Sequence, residues 1–120
     1  MIRKAIQKGH ELELKPLSVV VLDAGGHVKA FEREDGAAPG RFVIAQGKAY
    51  GAITPGMAGT VQMAPAAALG YFMNAVNGMF GGHVLPGPGG VLVRGKRGLV
   101  IGPAGLTGQS SRNDATCHCL

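Results

Sequence analysis

Three groups of side chains in this 120-residue chain are of types that do chemistry. The densest is Glu32-Arg33-Glu34-Asp35-Gly36, with Lys48 a short way downstream. Arg33 and Lys48 together suit a carboxylate, because charge-assisted hydrogen bonds to a planar anion are short and strong. Asp35 beside them is a candidate acid or base where partial burial moves its ionisation. The alternative is structural: Arg33 and Asp35 form an ion pair that caps the corner next to Gly36. The second group is the histidines. His27 falls in a turn and reads as solvated, and His10 follows a helix end and reads as a capping or surface residue. His83, beside Gly81-Gly82 in a region without charges, is the best candidate ligand. The third group is Cys117-His118-Cys119. Zinc takes four ligands, with about two to four residues between paired cysteines. Reduced helical cysteines are therefore the favoured reading, over a site shared between two chains. No P-loop, G-x-S-x-G elbow, H-E-x-x-H or dinucleotide fingerprint is present.

The elements that must position these groups follow from periodicity. Ile2 to Glu11 suits a short helix, with Ile2, Ala5 and Ile6 on one face and Gly9 near its C-cap. Lys15-Pro16 ends any helix and opens a strand over Leu17 to Leu22. Asp23-Ala24-Gly25-Gly26 tolerates the positive φ of a tight hairpin turn, and Val28, Ala30 and Phe31 mark the returning strand. A Gly/Ala/Pro loop leads to a helix from Arg41 to Ile53, whose small residues Ala45, Ala49 and Ala52 allow close packing. A second helix is expected from Pro65 to Val76, with Leu69, Phe72, Met73 and Val76 inward and Gly78, Gly81 and Gly82 closing it. Strands at His83 to Leu85, Val91 to Val93 and Leu99 to Gly102 follow, the last two joined by the charged Arg94 to Gly98 turn. Pro86 to Gly90 and Gly105 to Gly108 read as turns, each a minor candidate for anion binding through its backbone N–H groups. Small polar residues from Ser110 to Asp114 would cap a final helix. This order predicts a mostly antiparallel sheet of five strands with helices on its faces.

Composition narrows the function classes. The formal charge is +5, but six of the seven acidic residues lie at or before Asp35, interleaved with bases, and no basic run carries aromatics. Nucleic acid is therefore not the expected partner. Residues 49–93 hold no Asp, Glu, Lys or Arg, and a charge-free stretch of that length needs cover from a core or from a neighbouring subunit. Pro55, Pro65, Asn74, Asn77 and the glycines break it up too often for a membrane span. Met1-Ile2-Arg3-Lys4 leads into a polar segment, so no signal peptide is predicted. Two cysteines one residue apart make a poor disulfide, which points to a reducing, cytoplasmic setting.

The segments LSVVVLDAGGHVKAFEREDGA, IAQGKAYGA, PGPGGVLV and GPAGLTGQSSRND, in this order and spacing, resemble the GlcG-like haem-binding family that includes the HbpS-type proteins. The resemblance spans nearly the whole chain, as one domain over residues 1–120. It implies a profilin-like three-layer sandwich assembling into homo-oligomers, up to octamers. It also implies haem or a related tetrapyrrole as ligand in some members, and roles in organic-acid or aromatic-compound breakdown in others. On that footing Arg33 and Lys48 become candidates for a haem propionate and His83 for the axial position, whereas Met57, Met63, Met73 and Met79 read as core. An enzyme or accessory protein acting on a small carboxylate, with Asp35 as acid or base, and a purely structural assembly are the other readings. Three features depart from the family pattern. Gly56-Met57-Ala58-Gly59-Thr60 stands where a Gly-Ser-Arg loop is usual, Ala115 replaces a common Glu, and the C-terminal helix, usually longer, stops at Leu120.

Overall fold

The computed structural model describes residues 1–53, 70–85 and 88–108. The expected loop at Gly56 to Thr60, the start of the second helix at Pro65 with its four inward side chains, the first residues of the Pro86 turn, and the segment carrying Cys117-His118-Cys119 lie outside the described residues.

The described residues form seven elements: α1 (Ile2–Glu11), β1 (Ser18–Leu22), β2 (Val28–Arg33), α2 (Arg41–Ile53), α3 (Gly70–Met79), β3 (Gly90–Arg94) and β4 (Val100–Thr107). The strands form one antiparallel sheet in the order β2-β1-β4-β3. Alternation along β1 divides its side chains between two helices. Val19, with Leu17 and Leu106, packs against Ala5 of α1, and Val20 and Leu22 pack against Ala45 and Ala49 of α2. The result is the expected α+β arrangement of helix, sheet and helix.

Among the described residues the sheet has four strands rather than five. The predicted strand at His83 to Leu85 is irregular, because its backbone donors go elsewhere. Val84 N donates to Asn77 Oδ1 at 3.0 Å and Leu85 N to Gly47 O at 3.1 Å, which leaves no ladder to join. Conversely, Gly105 to Thr107 is not a turn. β4 runs on through Pro103 to Thr107, and its pairing with β1 ends at Ala104, so Pro103 falls outside that ladder and pairs only with Leu92 of β3.

α1 keeps its expected span, with Gly9 inside the helix rather than at its C-cap, and α3 overruns its expected end; both close in the same way. α1 continues through Gly9, which is buried where an added Cβ would come 2.4 Å from Leu17 Cδ1. Its reversal comes later, where Leu14 N donates to Gly9 O and Glu13 N to His10 O, with Glu13 in the left-handed region at φ 54°. α3 runs three residues past Val76 and ends with the same pair of bonds, Gly82 N to Asn77 O and Gly81 N to Gly78 O.

The β1–β2 turn is held by one carboxylate. Asp23 Oδ1 accepts from Gly25 N at 2.8 Å, from His27 N at 3.0 Å and from His27 Nδ1 at 3.3 Å. These donors, the His27 amide foremost, hold the Asp23 carboxyl below its ordinary value of 3.8. A carboxyl lowered on folding stabilises the folded state fully above its unfolded value and loses that effect as pH falls through the folded one. Amide shifts of Gly25 and His27 are expected to titrate with a midpoint below 3.8, and Asp23→Asn to abolish the transition while keeping the turn. A midpoint at or above the ordinary aspartate value would show that the donors do not engage the ionised form.

Candidate functional site

α2 lies unusually deep on the sheet because its inner face is nearly all small. Ala45, Ala49 and Ala52 are fully buried, and Gly90 and Gly105, paired across β3 and β4, present no side chain to it. Lys48 is the one charged residue of α2 that is buried. It is only 4% exposed, its Nζ donates to Leu106 O at 3.5 Å, and its chain lies against Gly89.

Arg33 and Asp35 stand elsewhere. Arg33 ends β2, the strand at one edge of the sheet, is exposed, and donates from Nη1 to Ala37 O at 3.3 Å. Asp35 is exposed on the following loop. Among the described residues Arg33 does not pair with Asp35, and β1 separates β2 from the strand that Lys48 reaches. The structure thus keeps Arg33 and Asp35 at the end of β2 and the loop that follows it, and holds Lys48 toward the other half of the sheet. The acid in this cluster with defined partners is Glu34. Its Oε2 accepts from Leu17 N at 2.7 Å, and its Oε1 meets His10 Nε2 in α1. Sequence reasoning singled out neither Glu34 nor this use of His10, since nothing local marks a contact spanning 24 residues.

His83 is exposed, with its ring edge-on to Tyr50 at 5.9 Å between centroids. Tyr50 also contacts Phe80 edge-on at 6.5 Å. His83 forms one wall of an open cleft of about 280 Å³ between α2 and residues 82–85. Val43, Ile44, Val84 and Leu85 give it an apolar lining, and Gln46 and Asn77 add amide groups. Two features shape it. Gly47 and Gly51 let Leu85 approach α2, an added Cβ at either falling 3.0 Å from Leu85 atoms. Asn77 ties the segment to α3 twice, through its carbonyl to Gly82 N and through its side chain to Val84 N. Gln46, Tyr50 and Asn77 were not legible as site residues; the Gly47/Gly51 spacing on α2 was the signal that a neighbouring segment comes close.

A helix–sheet–helix fold with a lateral apolar cleft and an imidazole on its wall defines an α+β protein with room for a small ligand beside α2. The chain belongs to the HbpS-like family of haem-degrading proteins, whose family model matches residues 1–118. The same fold recurs in solved structures. The haem complex of PduOC is 25% identical, with a TM-score of 0.81 over 97% of this chain and 82% of that one. Protein ORFY of Klebsiella pneumoniae is 19% identical, with a TM-score of 0.83 over 97% and 78%. A doubly substituted HbpS of Streptomyces reticuli is 24% identical, with a TM-score of 0.78 over 96% and 74%. The last two likenesses carry the fold alone. No curated protein matches the sequence.

Proposed function

We propose that this chain is a haem-binding protein, with the porphyrin edge seated in the cleft between α2 and residues 82–85 and His83 as its axial ligand. The observation that carries this reading is the juxtaposition of an exposed imidazole with an apolar lining in a chain of this family. The donor set fits: the His83 ring makes no hydrogen bond among the described residues, and its contact with Tyr50 orients it. Haem would supply an iron centre able to take an axial imidazole. Val43, Ile44 and Leu85 would exclude water from the macrocycle edge, and Gln46 and Asn77 would offer amide donors at the rim.

Size adds a second element to the proposal. A cleft of about 280 Å³ is at or below the small end of ligand pockets, which span roughly 300–1,000 Å³. On its lining Val43 is 67% exposed and Leu85 40%. A single chain therefore covers only part of a porphyrin, and we place a second copy over the open side, so that residues 1–120 act as one domain of a homo-oligomer in a reducing, cytoplasmic setting. Among the described residues no helix is long and apolar enough to cross a membrane. The carboxylate-enzyme reading has less support, because Arg33 and Lys48 reach different parts of the sheet.

Titration of purified protein with haem, followed by visible absorption, tests this. The expected result is a saturable, shifted Soret band that His83→Ala abolishes while leaving the far-ultraviolet circular dichroism unchanged. An identical band in the variant, or no saturable binding in the parent, would remove His83 and the cleft from consideration.

A further inference from the structure

Strand register sets three polar residues in one row. Ser18 of β1 stands opposite Arg33 of β2 on one side and Thr107 of β4 on the other. Val20 and Leu22 pack under α2, so Ser18 faces the same way by the two-residue period. Phe31, opposite Val20 and edge-on to Phe42 at 4.7 Å, puts Arg33 on that face too. The row ends at the start of α2, where Arg41 donates from Nη1 to Thr107 Oγ1 at 3.0 Å.

Ser18 is 0% exposed, and among the described residues its Oγ has no hydrogen-bond partner. A buried hydroxyl without a partner is costly, and a ligand acceptor at this point would relieve that cost. The helix start beside it is also incomplete. The first turn of α2 holds no acidic residue, and among the described residues no acceptor meets the N–H of Phe42 or Val43. Those open N–H groups carry the positive end of the helix dipole. Glu34 does not neutralise the row, because its carboxylate is engaged by Leu17 N and His10 of α1; Asp35 is exposed on the loop.

We propose that this row binds the carboxylate of a small organic acid, accepting from the Arg41 and Arg33 guanidinium groups, the Ser18 hydroxyl and the first-turn N–H groups of α2. Two guanidinium groups, a neutral hydroxyl donor and open helix N–H groups are what a planar, singly charged oxyanion uses. Ser18 lies beneath the start of α2, so the ligand reaches it as Arg41 exchanges its bond to Thr107 for one to the carboxylate. The site makes no use of His83, so it stands or falls separately from haem binding.

The test is titration of the protein with sodium succinate against sodium chloride at matched ionic strength, following the amide signals of Phe42 and Val43. Saturable shifts are expected, with Kd on the order of 1 mM. Arg41→Gln and Ser18→Ala should each weaken binding by about tenfold or more, whereas Lys96→Gln, an exposed change of equal charge in the β3–β4 turn, should not. Ser18→Ala should keep or raise Tm, since it removes an unsatisfied hydroxyl, so its loss of binding cannot be unfolding. Shifts no larger than those with chloride would overturn the proposal, as would binding that survives both variants. Inorganic phosphate binding as tightly as succinate would overturn the carboxylate assignment.

Discussion

Gly105→Ala is expected to destabilise the protein by about 3 kcal/mol or more, the upper range for forcing extra volume into a packed site. A Cβ built at Gly105 falls 1.9 Å from Ala45 O, and one at Gly90, directly opposite, falls 2.2 Å from Lys48 O. Both obstacles are helix backbone, which cannot swing aside as a side-chain tip can. Relief requires α2 to lift, and lifting it loosens Ala45, Ala49 and Ala52 together. For a domain of this size the change should lower Tm by roughly 10 °C. Gly90→Ala should act similarly, and the double variant should cost less than the sum, because a helix raised by one methyl already clears part of the other. Thermal unfolding followed by circular dichroism decides the matter; an unchanged Tm would mean that α2 does not rest on this pair.

Glu34→Ala is expected to cost about 2–3 kcal/mol, and Glu34→Gln less than about 1 kcal/mol. Glu34 Oε2 accepts from Leu17 N at 2.7 Å, at the point where the chain leaves α1 and enters the sheet, and Glu34 N donates back to Leu17 O at 2.9 Å. Leu17 is fully buried, so an unsatisfied N–H there carries a real desolvation cost. Glutamine keeps an acceptor for that N–H; alanine does not. The contact with His10, whose side chain is 66% exposed, adds only the small contribution of a solvated pair. Urea unfolding should show a lower midpoint with an unchanged m-value for Glu34→Ala. Equal effects of alanine and glutamine would shift the weight from Leu17 N to charge.

Much of the layout is legible in residue order. β-branched runs at Leu17 to Leu22 and Val91 to Val93, the glycine turn after Asp23, and the small-residue helix from Arg41 to Ile53 all form where local chemistry places them. What failed did so for identifiable reasons. His83 to Leu85 has strand-like residues, yet strand formation needs a neighbour's backbone, and Asn77 and Gly47 claim those donors first. Gly105 looks like a turn residue because glycine is common in turns; here it serves a strand that must carry no side chain beneath α2. The charged corner was the clearest sequence signal, but charge density does not say which group is engaged. Register and α1 packing bring in Glu34, which pattern alone ranked no higher than Arg33 or Asp35.

Among the described residues β4 is the last strand, and it is an inner strand of the sheet, lying between β1 and β3. During synthesis the β1–β2 hairpin therefore leaves the ribosome with one side of β1 open, and it stays open until residues 100–107 have been made. The slow step of folding is then insertion of a late segment beside an early one, across more than 80 residues of separation. Until then the bare β1 edge is a template for any other extended chain, so concentration during refolding, rather than native stability, sets the yield of correctly paired protein.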